Sequence, residues 1–531
     1  MCIRDRLRAD PVSATWLGDH RFDDQLPDLS GAAVAARLTM IDDHVTALDA
    51  VDDVELGVTD QVDLEILRAQ LLRSRFDLGE RRSHTWDPMV WNPGTGVHLL
   101  LSREFAPGEQ RRASLRGRLA AIPDTLADAR SQLGQMSRIH VETAVAQLEG
   151  TRALIDGEAR SFVGADAIVD EAAGEIVAFA EWLTQRLETS DRDPRLGEHL
   201  YSAALWHSLD HDTSASQVLA DAESHLAVLG DELRDVAARY LGRSTASAED
   251  VREALESVAL RAPVTDATVL ADMQWALERT TAFVREIDLV EVPDVDVRVI
   301  EMPEIHRGVA VAYCDAPGPL EAAHVPTFVA VAPTPSGWDT DRVRSFYREY
   351  NGVQLHGLTV HEAMPGHVLQ LAHAQRLVSP TPVRRFGHSG TFVEGWAVFA
   401  EQLMVARGYR PDDEPAAGLA MRLQQLKMQA RCAINAILDV GVHAHGMTED
   451  EGLAMMRDHG FQEEGEAVGK WRRALLTAGQ LPTYFVGFRA VAGIDHDLRV
   501  LHPEWTDRQI NDLMLSHGSP APRHLRTLLG I

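Results

Sequence analysis

Apolar residues recur at steps of three and four through most of this chain, which is the period of an α-helix with one buried face. The clearest stretch runs from Ser214 to Leu241, where acidic and Arg residues fill much of the opposite face. Similar patterns cover residues 166–187, 247–260 and 266–287. The repeated helical period therefore predicts a mainly α fold.

The pattern changes between Val290 and Trp338. Three short runs rich in β-branched and apolar residues occur there, separated by Pro and Gly: residues 297–300, 309–314 and 327–331. Such runs predict a small β-sheet. We therefore expect an N-terminal helical lobe over residues 1–290, followed by a second lobe over residues 291–531 that holds the sheet and the functional motifs.

The charge balance excludes some partners. The chain has 51 Lys and Arg against 80 Asp and Glu, a formal net charge of −29. This balance argues against nucleic acid or an anionic membrane surface as the main partner. The sequence as written has no apolar signal-peptide core and no long apolar run. We expect a cytoplasmic protein, or an exported one if the N-terminus is truncated, and the oligomeric state stays open.

The most informative segment is His361-Glu362-Ala363-Met364-Pro365-Gly366-His367. Its opening is like the zinc-peptidase helix in which two His ligands flank a Glu general base. The second His is six residues on, however, about 240° around a regular helix. Pro365 cannot continue the hydrogen-bond ladder and Gly366 permits unusual backbone angles. A break there could bring His367 back toward His361.

Two acidic residues follow on an apolar segment, Glu394 and Glu401, which are seven apart and so on nearly one helix face. Buried carboxylates need a cation or hydrogen-bond donors. Two His and one Glu form a known catalytic Zn²⁺ ligand set. We therefore predict one Zn²⁺ per chain, or another divalent transition metal, held by His361, His367 and Glu394. Glu362 is the predicted general base and Glu401 a residue that orients a ligand.

These motifs resemble the bacterial domain-of-unknown-function 885 family, with its His-Glu-Ala-x-Pro-Gly-His and Glu-Gly-Trp-Ala…Glu sequences. The resemblance implies a long-helix, zinc-metallopeptidase-like architecture, distantly similar to the carboxypeptidase Taq, thimet oligopeptidase and angiotensin-converting-enzyme folds, with the sheet beside an active-site cleft. Looser matches include the stretch from Gln480 to Gly487. The family's Arg four residues before Asp439 is replaced here by Asn435, so the resemblance does not predict a simple carboxypeptidase.

Three further residues are candidates. Asp439 and His443 are four apart and share a helix face, so they could form a pair near the substrate, with the Asp orienting the imidazole, or a pair in the core. In the first case His443 would be catalytic and would help to stabilise an oxyanion. The family resemblance supports Tyr484 as a donor to the oxyanion of a tetrahedral intermediate; otherwise it would be a packing residue.

The expected function is metal-dependent hydrolysis of peptide or related amide bonds, with short peptides or acyl-amino acids as substrates. Two alternatives remain open at this point. One is a metal-dependent amidase or lyase acting on a modified amino acid. The other is a non-enzymatic helical binding protein with a structural metal, although such sites usually have four protein ligands.

Overall fold

The computed structural model describes residues 2–302, 311–322, 325–335, 337–379 and 381–531. Over these residues the fold is mainly α with one small sheet, as predicted. The chain divides into two compact units, Met1–Pro194 with Pro317–Pro326, and Arg195–Ala316 with Thr327–Ile531. None of the helices in the described part of the chain is long and apolar enough to span a membrane.

The regular elements of the first unit are all helices in its described residues. Its α-helices are α1 (Cys2–Ala9), α2 (Pro11–Leu17), α3 (Gly31–Asp49), α4 (Val58–Phe76), α5 (Gly94–Ser102), α6 (Gly108–Gln132), α7 (Arg138–Leu154), α8 (Arg160–Val163) and α9 (Ala167–Thr184). Short 3₁₀ or π turns lie at His20–Phe22, Asp77–Arg81, Ser83–Thr85, Pro88–Trp91, Ile155–Ala159 and Leu187–Thr189. Helices α6, α7 and α9 pack together, and Leu119, Ile122 and Phe179 are completely buried there.

The segment Pro317–Pro326 is held in the first unit by His20. The Leu320 N–H donates to the Leu17 carbonyl at 2.8 Å. The His20 ring contacts Asp23 through Nδ1 at 3.0 Å and Glu321 through Nε2 at 2.9 Å, and it stacks on Phe105. A neutral imidazole donates one hydrogen bond, whereas the imidazolium donates two. Burial lowers the pKa of His20, but the two carboxylates outweigh burial and raise it above its usual value.

The second unit holds the remaining helices and the sheet. Its helices are α10 (Glu198–Leu209), α11 (Ala215–Leu241), α12 (Ala248–Arg261), α13 (Val269–Glu286), α14 (Thr340–Glu349), α15 (Gly352–Glu362), α16 (His367–Gln375), α17 (Val383–Phe386), α18 (Gly390–Ala406), α19 (Ala417–Ala444), α20 (Glu449–Asp458), α21 (Glu464–Leu476), α22 (Pro482–Leu501), α23 (Asp507–Leu515) and α24 (Pro522–Leu529). Its strands are β1 (Val297–Glu301), β2 (Ala312–Asp315) and β3 (Thr327–Val331).

Helix α11 confirms the periodic pattern that predicted it. The Ser214 side chain caps its first turn by accepting from the Gln217 N–H, and Gly242 ends it with a left-handed φ of 67°. The predicted apolar face is buried at Val218, Leu229 and Leu233. This face packs against α19, which places α11 beside the helix at the centre of the second unit.

The sheet has the strand order β1-β3-β2. Strand β3 pairs in parallel with β1 and antiparallel with β2, and Val329 lies opposite Val299 and Cys314. Residues 309–310 of the second predicted run lie outside the described residues. The described strands agree with the prediction of one small sheet.

The predicted boundary at residue 290 does not coincide with this division. Helices α10 to α13, expected in the N-terminal lobe, belong to the second unit because their buried faces share one hydrophobic core with α18, α19 and α22. Conversely, residues 317–326 belong to the first unit. Amphipathic periodicity shows that a helix face is buried but does not identify the helix that covers it.

We expect the stability of the first unit to depend on the charge of His20. Because its pKa is raised on folding, its contribution is complete below the unfolded pKa of about 6.5 and is lost as pH rises through the folded value. The free energy of unfolding of the wild type should therefore fall between about pH 6 and about pH 9, and that of His20→Gln should fall less. Urea unfolding at both pH values measures this loss. The exposed His199 provides the control variant His199→Gln, and equal pH dependence in wild type and His20→Gln would contradict the assignment.

Candidate metal centre

A break in the helix brings the two predicted histidine ligands together. Helix α15 ends at Glu362 and α16 begins at His367, so the interruption lies at the predicted Pro365-Gly366 step. A Cβ atom on Gly366 would lie 1.9 Å from the His361 carbonyl oxygen, so only glycine fits this close turn. The His361 and His367 rings consequently meet edge to face, with centroids 4.8 Å apart.

The turn is also fixed from helix α18. The Trp396 indole N–H donates to the Pro365 carbonyl at 2.8 Å, and Trp396 is almost completely buried. Sequence reasoning identified Trp396 only as part of a motif and missed this contact. Its position two residues after Glu394 means that α18 supplies both the turn contact and the third candidate ligand.

Glu394 completes a three-residue cluster. Its Oε2 lies 3.4 Å from His361 Nε2 and 3.5 Å from His367 Nε2. One ligand atom from each of the three residues falls within a group no wider than 4.8 Å. The structure thus brings together the residues that the sequence predicted as metal ligands.

The cluster fits a bound divalent cation. Two ligand atoms that each lie about 2.1 Å from a tetrahedral Zn²⁺ are about 3.4 Å apart, close to both distances from Glu394 to the histidines. Glu394 Oε2 is buried and has no hydrogen-bond partner within the described part of the chain. A buried carboxylate oxygen without a donor is costly unless a cation compensates it. Zn²⁺ would meet that requirement here.

Glu401 orients the first histidine. Its Oε1 lies 2.7 Å from His361 Nδ1, and its side chain is only 4% exposed. A hydrogen bond at Nδ1 leaves the Nε2 lone pair directed toward Glu394, as metal-ligating histidines require. Burial lowers the pKa of His361, but the neighbouring carboxylates of Glu394 and Glu401 outweigh burial and hold it well above its usual value. The negative charge of these two carboxylates also favours a cation beside His361.

Glu362, the predicted general base, is buried beside the two histidines. Burial raises the pKa of its carboxyl group, His367 and His361 oppose that rise, and Glu394 adds to it. The Cys314 backbone N–H of strand β2 also donates to this carboxylate. Strand β2 therefore helps to position Glu362.

A close crossing of helices α18 and α22 brings Tyr484 to the cluster. A Cβ atom on Gly395 would lie 2.3 Å from the Gly487 carbonyl carbon, and one on Gly487 would lie 2.0 Å from the Thr391 carbonyl oxygen. Glycine at both positions therefore permits direct backbone contact between the helices. Glu394 precedes one glycine and Tyr484 lies three residues before the other, so the crossing links the two motifs.

The carboxylates of Glu394 and Glu362 act on the phenol of Tyr484. The phenol also accepts a hydrogen bond from Arg473, a residue that the sequence did not predict. Burial raises the pKa of the phenol, and the carboxylates of Glu394 and Glu362 raise it further. The Arg473 Nη2 donates to the phenol oxygen at 3.4 Å. Arg473 lies on α21, before the turn that leads to α22, and no spacing rule connects it to Tyr484.

The structure does not bring Asp439 and His443 into the metal cluster. The Asp439 Oδ2 accepts from the Tyr201 hydroxyl at 2.9 Å and from the Gly479 N–H at 2.8 Å. His443 Nδ1 accepts from the Leu196 N–H, and Nε2 contacts the carbonyls of residues 474 and 477. Both ring nitrogens of His443 bind backbone groups, so the structure favours the core alternative over the expected oxyanion role. Asp439 supports the turn before α22 and Tyr201, rather than a ligand.

Metal binding should depend on the ligands and, to a lesser degree, on Glu401. Alanine at His361, His367 or Glu394 removes a ligand and should abolish stoichiometric Zn²⁺ binding. Glu401→Gln should weaken affinity by about 10–100-fold, since it alters only ligand orientation. Competition with a chromophoric chelator measures these affinities.

The control for these variants is His373→Ala on the same helix as His367. The His373 Nε2 bonds to the Glu291 carbonyl at 2.8 Å, so its loss should leave the metal in place. Equal Zn²⁺ affinity in the Glu394→Ala variant and this control would show that the cluster is not the metal site.

The helix crossing makes a separate prediction. Gly487→Ala forces α18 and α22 apart and should destabilise the protein by about 1–3 kcal/mol, as overpacking does, while weakening Zn²⁺ binding. Gly493→Ala on the same helix is the matched control, because the nearest atom to its new Cβ is the end of the Arg526 side chain at 3.3 Å. Urea unfolding measures the difference, and equal stability of the two variants would contradict the prediction.

Comparisons with known proteins agree with this architecture. A protein from Shewanella oneidensis described as a "putative lipoprotein of unknown function" is 26% identical, with a TM-score of 0.81 over 100% of this chain and 98% of that one. A "putative lipoprotein" from Colwellia psychrerythraea is 15% identical, with a TM-score of 0.79 over 100% and 97%. No curated protein matches the chain.

A family model also matches the chain. It is described as "Bacterial protein of unknown function (DUF885)" and aligns with residues 11–529. The match includes the His361–His367 segment and the helix that carries Glu394 and Glu401. Because the alignment extends over nearly the whole chain, the protein belongs to the bacterial DUF885 family.

Proposed function

We propose that this protein is a zinc-dependent hydrolase of peptide or related amide bonds, acting on short substrates. The observation that carries the proposal is the cluster of His361, His367 and Glu394, with the carboxylate of Glu362 and the phenol of Tyr484 beside it. This set combines three metal ligands, a base and an oxyanion donor. Burial of His367 and Glu362, each 8% exposed, favours small flexible substrates over folded proteins.

Each residue has a separate task in the proposed reaction. A Zn²⁺ ion at this site would act as a Lewis acid and would make a water molecule a stronger acid. Glu362 accepts the proton of the attacking water and then transfers it to the leaving amine. Tyr484 donates a hydrogen bond to the oxygen on which negative charge develops. Glu401 keeps His361 in the tautomer that exposes its Nε2 lone pair.

The electrostatics of Glu362 support its role as a base. Burial raises the pKa of this carboxyl group, and a carboxylate of raised pKa accepts a proton more readily at neutral pH. Tyr484 has the opposite requirement, because it must keep its proton until the oxyanion forms. Burial raises its pKa as well, so the phenol is protonated and available as a donor.

Three protein ligands support an enzyme over a protein with a structural metal. Structural Zn²⁺ sites are usually closed by four protein ligands, whereas catalytic sites keep one position open. Among the described residues, the candidate cluster contains three ligands. An amidase or lyase acting on a modified amino acid would use the same centre. Turnover of acyl-amino acids, with no cleavage of any dipeptide or tripeptide, would favour that alternative.

The general base provides the main test. Glu362→Gln should retain Zn²⁺ and lower kcat/KM for peptides by about 10²–10⁴-fold, since it removes the group that accepts the proton. The exposed Glu286 on α13 gives the control Glu286→Gln, which should be fully active. Metal content and hydrolysis of a tripeptide panel are measured on both variants. A metal-loaded Glu362→Gln variant with wild-type activity would refute the mechanism.

The oxyanion donor is tested through kcat. Tyr484→Phe should lower kcat by about 10²–10³-fold with little change in KM, because the lost hydrogen bond strengthens only as charge develops. Tyr240→Phe, which changes a tyrosine of α11, is the control. If Tyr484→Phe raises KM and leaves kcat unchanged, Tyr484 binds the substrate in its ground state instead.

The cellular location is also part of the proposal. The two similar structures are each described as a "putative lipoprotein", which favours the exported alternative over the cytoplasmic expectation. Fractionation of cells that produce the protein from its complete gene tests this point.

A further inference from the structure

Two cations near the metal cluster, both on helix α21, have no carboxylate partner among the described residues. Lys470 and Arg473 lie three residues apart on α21, so their side chains share a helix face. The chain has 80 carboxylate residues for 51 Lys and Arg, and buried cations nearby bind carboxylates. Lys427 and Arg431 both bind Glu349, at 2.9 and 3.1 Å.

Within the described part of the chain, neither Lys470 nor Arg473 has a carboxylate within 4 Å. The Arg473 side chain donates to two neutral acceptors, the Gln480 amide oxygen at 3.3 Å and the Tyr484 hydroxyl at 3.4 Å. Burial and the adjacent Arg431 lower the pKa of Lys470 to about 8, and Arg473 contributes to the decrease. Glu466 opposes this effect but is itself bound to Arg431. In the described part of the chain, Glu349 and Glu466 thus pair with Lys427 and Arg431, and Lys470 and Arg473 are left without a carboxylate partner.

These cations adjoin the proposed catalytic residues. Arg473 contacts the phenol of Tyr484. The carboxylates of Glu394 and Glu362 raise the pKa of that phenol. The thiol of Cys432 on α19 is influenced both by Lys470 and by the carboxylates of Glu401 and Glu394. Arg473 is thus joined to the site through its contact with Tyr484, and Lys470 lies on the same helix face and acts on the thiol of Cys432.

We propose that Lys470 and Arg473 bind a carboxylate of the substrate, which gives the site a preference for peptides with an anionic group beside the cleaved bond. The inference rests on the proposed hydrolase function, since it identifies the substrate of the same site. The guanidinium of Arg473 offers paired donors to a carboxylate, and Lys470 adds a point charge. The carboxylate is either the C-terminal group of a peptide or an acidic side chain.

The experiment measures binding without turnover. Zn²⁺-loaded Glu362→Gln protein is titrated calorimetrically with three acetylated tripeptides: Ala-Ala-Phe with a free carboxylate, Ala-Ala-Phe amide, and Ala-Ala-Glu amide. One or both anionic peptides should bind about tenfold or more tightly than the neutral amide, as expected for a charge-assisted contact. The anionic peptide that binds more tightly identifies the source of the carboxylate.

The same titrations on Arg473→Gln and Lys470→Met, each in the Glu362→Gln background, test the residues. Either substitution should reduce the preference for the anionic peptide, and Arg473→Gln should bring the ratio of affinities near one. Arg472→Gln changes the exposed neighbour on the same helix and should keep the preference. Zn²⁺ content is measured for each variant, so a loss of metal is separated from a loss of the carboxylate contact.

The outcomes separate this inference from the proposed function. Equal affinity for the three peptides, no binding of any of them, or an unchanged preference in Arg473→Gln overturns the carboxylate site. Hydrolysis of all three peptides by wild-type protein at equal kcat/KM also overturns it, although the hydrolase function then stands. Preferential binding of an anionic peptide that the wild type does not cleave supports the carboxylate site and refutes the hydrolase function.

Discussion

The cost of burying negative charge dominates the centre of the second unit. Glu362 and Glu401 are buried, and Glu394 is partly buried with its Oε2 atom inaccessible to solvent. Each negative charge would be unfavourable there without compensation. The two histidines compensate part of this charge, and His361 is held between Glu394 and Glu401. A divalent cation bound by Glu394, as proposed above, would compensate the remainder. The need for positive charge explains why these residue types occur together in a hydrophobic core.

Backbone geometry determines whether these side chains can meet. The break between α15 and α16 redirects His367, and the contact of Gly395 with Gly487 brings α22 against α18. Trp396 joins the two features, because its indole holds the carbonyl of Pro365. The precision of the centre therefore comes from helix–helix contacts rather than from the loops, which agrees with the requirement that metal ligands be held on rigid elements.

The sequence was sufficient for those parts of the structure that depend on local rules. Helical periodicity predicted α11, and the Pro365-Gly366 step predicted the break, because each depends on residues close together in the chain. Non-local features were not predictable in this way. The same-face spacing of Asp439 and His443 did not show that backbone groups surround that face. Arg473 reaches Tyr484 only because the chain turns between α21 and α22.

The path of the chain has a consequence for synthesis. Residues 317–326 belong to the first unit. Glu321 of this segment contacts the imidazole of His20, which also contacts Asp23. A nascent chain that has emerged from the ribosome only as far as Pro194 lacks this segment. The imidazole of His20 would then have one carboxylate partner instead of two. Although domains commonly fold as they emerge from the ribosome, the first unit reaches its final set of contacts only after Pro326 has been translated. A fragment ending at Pro194 is therefore incomplete, and a cut in the DNA at that codon would not isolate an independent module.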